Sequence, residues 1–244
     1  MSAPRFFCVM PLAPGQRAAL PDTVFHHAVR VRRLRNGDEL VLFGGAGSEA
    51  LARLVDVGRN RADVEIVAVA AVGRESPLAI TLLQGISSGD RMDYTLQKAV
   101  ELGVVAIVPV IAERAIARLS GDRADKRLAH WRQVVVSACE QCGRNVIPDV
   151  APAIALADAL TKCSSATATR YVLSVANGIR LRELPVPPGP IVLMAGPEGG
   201  LTDDEEAAAV VAGFGRLTLG PRVLRTETAA IAAMAAMQAM WGDG

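Results

Sequence analysis

Two short segments in the last fifth of the chain bring together residues able to hold a nucleotide-like ligand. In the first, the apolar run Ile191 to Ala195 leads into Gly196-Pro197-Glu198-Gly199-Gly200, then Thr202 and the acids Asp203 to Glu206. Glycines let the backbone approach a ligand closely, and the proline stiffens the turn. The second reads Leu219-Gly220-Pro221-Arg222-Val223-Leu224-Arg225-Thr226-Glu227-Thr228, again a Gly-Pro turn ahead of a helix. A plain strand-to-helix turn accounts for either segment alone. Two in succession, the second carrying Arg222 and Arg225, can together form a pocket. The first lacks the Lys-Ser/Thr of a phosphate-binding loop and the full spacing of a dinucleotide fingerprint, which argues against nucleoside triphosphate or NAD.

Both loops must emerge at one edge of a sheet to meet. Apolar strands over Ala79 to Gln84, Ala106 to Ile111, Tyr171 to Val175, Ile191 to Ala195 and Arg216 to Leu219 alternate with helices over Met92 to Leu102, Ala124 to Cys142, Thr202 to Ala212 and Thr226 to Trp241. This rhythm predicts an α/β fold, a mostly parallel sheet with helices on both faces and ligands beyond the carboxyl ends of its strands. Thr202 and Glu205 have capping-box spacing, and Thr226-Glu227 is expected to open the last helix in a similar way. The polar stretch Gly73 to Pro77 marks a boundary. Ahead of it, strands over Arg5 to Met10, Glu39 to Phe43, Ala50 to Val57 and Ala62 to Val69, with one helix over Asp22 to Leu34, predict a small closed or nearly closed β-barrel. The expected division is 1–73 and 74–244.

Composition narrows the partners. Half the residues are hydrophobic (51%), enough for a folded core, and the net charge of +1 excludes nucleic-acid binding by global charge alone. Aromatics at 4% leave little for stacking bases on a sheet. Charge is concentrated locally: Arg30, Arg32, Arg33 and Arg35 fall within six residues at the end of the N-terminal helix. A solvated face and the pull of the helix C-terminus explain some of this, but four arginines exceed what a cap requires and read as a phosphate-binding surface. The most apolar stretch, Thr228 to Trp241, has 14 residues and includes Gln238, too short for a bilayer. Export is not expected, since the N-terminal apolar run is short and broken by prolines. Four cysteines without regular spacing fit reduced thiols in a cytoplasm. Cys139 and Cys142 form a CxxC on a predicted helix, without a second pair and without ligand spacing to His26, His27 or His130, so no metal is expected.

GPEGGLTDDE (Gly196 to Glu205), LGPRVLRTETA (Leu219 to Ala229), SACEQCGR (Ser137 to Arg144) and GDRMDYTLQKAVELG (Gly89 to Gly103) resemble the SPOUT-class RNA methyltransferases, and within them the RsmE type that methylates N3 of a uridine in 16S ribosomal RNA. The resemblance covers nearly the whole chain. It implies a homodimer with an N-terminal PUA-like β-barrel that binds RNA and a C-terminal domain whose last segment threads a trefoil knot. It further implies S-adenosylmethionine bent in that knot, held by Ala195, Gly196, Pro197, Glu198, Gly199, Leu219, Gly220, Pro221, Val223, Leu224 and Thr226, with the loop at Val175 as a third wall. Ala229, Ala233, Ala236 and Met240, at helical spacing, suit either a dimer interface or the core of one subunit.

The same resemblance makes Arg91, Gln141 and Arg144 candidates for holding RNA, beside the arginine cluster. Methylating N3 of uridine requires removal of a weakly acidic proton while the nitrogen attacks the methyl group, so the site must align and stabilise a developing anion. Arg225 is the candidate for stabilising that charge. Glu198 is the candidate to accept the proton or orient another residue, with backbone amides as its other use. The partner is small-subunit ribosomal RNA or the assembled small subunit. Two other readings share these features: a SPOUT enzyme acting on another RNA position or on ribose, and a non-catalytic ribosome-assembly factor that kept the fold.

Overall fold

A computed structural model describes residues 3–10, 13–115, 121–163, 167–175 and 178–244. The chain divides into two compact units, Met1–Glu75 with Cys139–Ile147, and Ser76–Ala138 with Pro148–Gly244.

The first unit contains β1 (Arg5–Phe7), β2 (Arg17–Ala19), α1 (Asp22–Phe25), β3 (Glu39–Phe43), β4 (Ser48–Val57) and β5 (Ala62–Ala71). The strands lie in the order β1-β3-β4-β5-β2; β1 runs parallel to β3 and the remaining pairs are antiparallel. Register shifts between Leu51 and Ala52 and between Leu54 and Asp56 bend the long β4–β5 hairpin. Phe6, Leu40, Leu42, Leu54, Val64 and Ile66 form the core with Val24, Phe25 and Ala28. α1 passes into a π-helical stretch, His26–Val31, in which Arg32 N–H bonds His27 C=O at 2.9 Å. The expected helix therefore stops short of Leu34, at a turn where Arg33 adopts φ +61°.

The expected cut after residue 73 misses the return of 139–147 to this unit. Polar groups hold that segment: Arg5 donates to Asn145 Oδ1 at 2.6 Å, and Glu49 accepts from Arg5 (2.6 Å), Arg74 (2.8 Å) and Asn145 (3.1 Å). Burial pushes the Glu49 carboxyl up, but Arg74, Arg5 and Asn145 outweigh it and bring it down to about 2. No local pattern in the sequence announces a segment that joins its unit through side chains far along the chain.

The second unit comprises β6 (Ile80–Gly85), α2 (Gly89–Glu101), β7 (Ala106–Ile111), α3 (Asp122–Cys142, whose last turn belongs to the first unit), β8 (Asp149–Val150), β9 (Ile154–Ala155), α4 (Leu156–Lys162), β10 (Thr169–Leu173), β11 (Ile179–Arg180), β12 (Ile191–Ala195), α5 (Asp203–Val211), β13 (Gly215–Thr218) and α6 (Thr226–Trp241). The sheet order is β11-β13-β10-β12-β6-β7-β8, with β9 also on β7, and every pairing is parallel. β12 lies between β10 and β6 with all five residues buried, as expected for a strand covered on both faces. Because all strands run alike, the loops after β6, β7, β10, β12 and β13 leave from one edge. β8, β9 and β11 are only two residues each, too short to show a periodic pattern.

Of the α6 positions singled out, Ala233 is fully buried beside Ala230, Met234 and Met237, Ala229 and Ala236 are half-buried, and Met240 is 44% exposed. Among the described residues no helix is long and apolar enough to cross a membrane.

Candidate functional site

At the carboxyl edge of the parallel sheet the loops after β10, β12 and β13 enclose a cavity of about 650 Å³. Its walls include Val175 from the first loop, Ala195 to Leu201 from the second, and Leu219, Gly220 and Arg222 to Glu227 from the third. Both Gly-Pro segments thus meet. Of the residues singled out for the pocket, Val175, Ala195, Gly196, Pro197, Glu198, Gly199, Leu219, Gly220, Val223, Leu224 and Thr226 line it, as do Arg91 and Arg225. Pro221 does not: it sits exposed at the turn, where Gly220 at φ +114° sends the chain outward. Ala176 and Asn177 of the third wall lie outside the described residues.

Local sequence explains how the rim is held. Thr202 and Glu205 form the expected capping box, with Glu205 N–H to Thr202 Oγ1 at 3.2 Å and Thr202 N–H to Glu205 Oε2 at 2.9 Å. Thr226 does not cap α6. That position belongs to Arg225, and the Thr226 hydroxyl donates instead to Gly196 C=O at 2.5 Å. Buried Gln84 donates to Thr226 Oγ1 at 3.0 Å and to Gly85 C=O at 3.0 Å. Gly85 has to be glycine, since a Cβ there would lie 2.6 Å from both the Gly196 carbonyl carbon and the Pro197 ring.

Glu198 is occupied. Its Oε1 accepts from Ser88 N–H (2.8 Å), Ser88 Oγ (2.7 Å) and Arg91 (3.3 Å), immediately before α2. Burial raises its pKa, but Ser88, its own N–H and Arg91 outweigh that and hold it below the ordinary carboxylate value. Through these bonds Glu198 ties the loop after β12 to the start of α2. Glu206 accepts from Ser174 Oγ at 2.9 Å and pairs with Arg216 at 3.4 Å. Arg114, after β7, donates to Gly199 and Leu201 C=O at 3.3 Å. Arg222 and Arg225 are exposed, and neither guanidinium bonds a described residue. Sequence reasoning missed Gln84, Ser88, Arg114 and Glu206. Their signal was positional: the first three stand at or just beyond the carboxyl ends of parallel strands.

The other candidates fall in the first unit. Arg30, Arg32, Arg33 and Arg35 are all exposed. Arg30 stacks over Phe25 at 5.7 Å and donates to Arg59 C=O. Gln141 is exposed in the last turn of α3. Arg144 is corrected: it is 4% exposed and bonds Glu75 at 2.5 and 2.9 Å, so its guanidinium is part of the scaffold and is withdrawn from RNA. Cys139 is buried, which pushes its thiol up to about 12, in keeping with a structural cysteine.

A cavity between glycine-rich loops at the carboxyl edge of a parallel sheet has the position of a ligand site in an α/β protein, and comparison with known proteins places the chain in a family. Residues 74–238 match the RNA methyltransferase domain model and residues 20–67 the RNA methyltransferase PUA domain model. The chain belongs to the RNA methyltransferase family. It is 33% identical to the ribosomal RNA small subunit methyltransferase E of Buchnera aphidicola (subsp. Schizaphis graminum) over 98% of this chain and 97% of that one. The crystal structure of the Neisseria gonorrhoeae protein of the same name, bound to S-adenosylmethionine, superposes with a TM-score of 0.93 at 49% identity over 99% of both chains. A Legionella pneumophila structure in complex with the same cofactor gives 0.95 at 38% over the whole of both chains.

Proposed function

We propose that this chain transfers a methyl group from S-adenosylmethionine to N3 of a uridine in small-subunit ribosomal RNA, as a homodimer acting on the RNA or the assembled subunit. The observation that carries the reading is the meeting of both Gly-Pro loops in one cavity with Arg91, Arg222 and Arg225 in its walls. The relatives named as ribosomal RNA small subunit methyltransferases supply the RNA class.

The residues present suit the cofactor. A volume of about 650 Å³ is that of a site for a ligand of this size, and the walls combine apolar Val175, Val223 and Leu224 with backbone amides and carbonyls of Gly196 and Leu219 for an adenine edge. Four carboxylates and four arginines line the cavity together, which suits a ligand carrying charges of both signs. When bound, S-adenosylmethionine supplies an electrophilic methyl group on a positively charged sulfur. In this reading Arg225, in the cavity wall, stabilises the negative charge that develops on the uracil oxygens. Glu198, by holding Ser88 and Arg91, fixes the wall against which the base is aligned.

The test is transfer of labelled methyl to small subunits lacking the modification, followed by digestion and chromatography of the nucleosides. Label in 3-methyluridine supports the reading, and label on a ribose oxygen or another base refutes it.

A further inference from the structure

The walls of the cavity carry four carboxylates, and their surroundings differ. Glu198 is held by Ser88 and Arg91, and Glu206 by Ser174 and Arg216. Asp203 is exposed in the first turn of α5, with its charge solvated. Glu227, in the first turn of α6, is half-buried; its Oε2 is shut off from solvent, and its carboxylate accepts no hydrogen bond from a described residue. Glu198 Oε2 also lacks a donor, but the charge of that group is already met at Oε1.

A structural acid in the first turn of a helix looks different in this same molecule. Glu205 of α5 accepts the Thr202 N–H at 2.9 Å as half of a capping box. Glu227 makes no such bond. A carboxylate in the cavity wall that meets no internal donor keeps its acceptor capacity for one that arrives with the substrate.

Arg222 and Arg225, five and two residues before Glu227, line the same cavity, and their guanidinium groups bond no described residue. Two cationic donors and one acceptor in the walls of one cavity match in kind the edge of uracil, where the N3–H donor is flanked by two carbonyl acceptors. Resting on the uridine-N3 reading above, we infer that Glu227 is the catalytic proton acceptor, taking the N3 proton while Arg222 and Arg225 engage the flanking oxygens.

The step balances. The N3–H bond breaks and its proton goes to the Glu227 carboxylate; the nitrogen pair forms the N–CH3 bond; the carbon–sulfur bond breaks with its pair kept by sulfur. One negative and one positive charge disappear together. An imide proton is far less acidic than a carboxylic acid, but it becomes strongly acidic as N3 bonds the methyl carbon, so transfer accompanies attack. The partial exposure of Glu227 lets it return the proton to water afterwards.

The experiment compares the full-length wild type with Glu227→Gln and Glu227→Asp on small subunits. Turnover of Glu227→Gln falls by about 10²- to 10³-fold, with Glu227→Asp in between. Above neutral pH the wild-type rate is flat, whereas the Gln variant climbs by about tenfold per unit as hydroxide takes over the deprotonation. Calorimetric affinities for S-adenosylmethionine and S-adenosylhomocysteine stay within about threefold of wild type, less than 1 kcal/mol. Three results overturn the inference: a Gln variant with near-normal turnover; selective loss of S-adenosylmethionine, which makes Glu227 a counter-ion to the sulfonium; and loss of both ligands or of the fold, which assigns it to the scaffold. Chromatography of the wild-type product tests the N3 reading separately, so the two failures are told apart.

Discussion

The Thr226 hydroxyl donates to the carbonyl oxygen of Gly196 at 2.5 Å, joining the start of α6 to the loop after β12 across 30 residues of chain. With Gln84 donating to Thr226 Oγ1 at 3.0 Å, the two Gly-Pro loops and the end of β6 become one rigid rim around the cavity. The site's geometry therefore depends on the hydroxyl of one threonine in the pocket wall.

Thr226→Val keeps the shape and removes the donor, leaving the Gly196 carbonyl and the Gln84 amide short of a partner. The expected cost is about 1–3 kcal/mol of stability, read by thermal melting. S-adenosylmethionine affinity, read by calorimetry, should weaken about tenfold, which equals about 1.4 kcal/mol. Thr226→Ser should restore both, since it restores the bond. A valine variant that binds and melts like wild type would show that the loops are held by packing alone.

Glu198 makes a prediction about pH. Its folded pKa lies below the ordinary 4.5, so the ionised carboxylate stabilises the folded state. That stabilisation is fully present above about pH 4.5 and is lost as pH falls through the depressed folded value. The Tm difference between wild type and Glu198→Gln should be constant from neutral pH down to that point and close below it. A gap that instead widened in acid would reverse the sign of the shift.

Much of this was legible in the sequence for one reason: parallel strands buried on both faces are continuous apolar runs, and the loops that follow them carry the glycines. Ile191 to Ala195 and Ala106 to Ile111 are therefore strands at the expected residues. The family resemblance supplied the cofactor loops. What stayed hidden depends on distant partners. Thr226 reads locally as a cap, and only the Gly196 carbonyl shows it to be a tether. Arg144 reads as a free cation until Glu75 and burial remove it. Glu198 reads as one acid in a glycine-rich loop, and only Ser88 and Arg91 show what it holds.

Arg225→Ala separates binding from chemistry. The guanidinium is exposed and holds no described residue in place, so its loss leaves the fold unchanged. Calorimetry should show S-adenosylmethionine binding near wild type, while methylation falls by about 10²-fold, the usual effect of losing one charge-stabilising donor. Near-normal turnover would remove Arg225 from the reaction.

The arginine cluster of the first unit tests the RNA interface through salt. Arg32 and Arg35 are exposed, whereas Arg30 is stacked on Phe25 and bonded to Arg59 C=O, and Arg33 sits at φ +61° in the turn. Arg32→Ala with Arg35→Ala therefore removes two free charges while leaving the two structurally engaged arginines in place. If each meets a phosphate, RNA affinity weakens, and the slope of log affinity against log salt becomes shallower by about 0.7–0.9 per contact. S-adenosylmethionine binding should be unchanged, because its proposed pocket is built wholly from residues of the second unit. Filter binding of small-subunit RNA at several salt concentrations reads both slope and affinity. An unchanged slope would mean that these charges are only solvated, and that the RNA is held elsewhere.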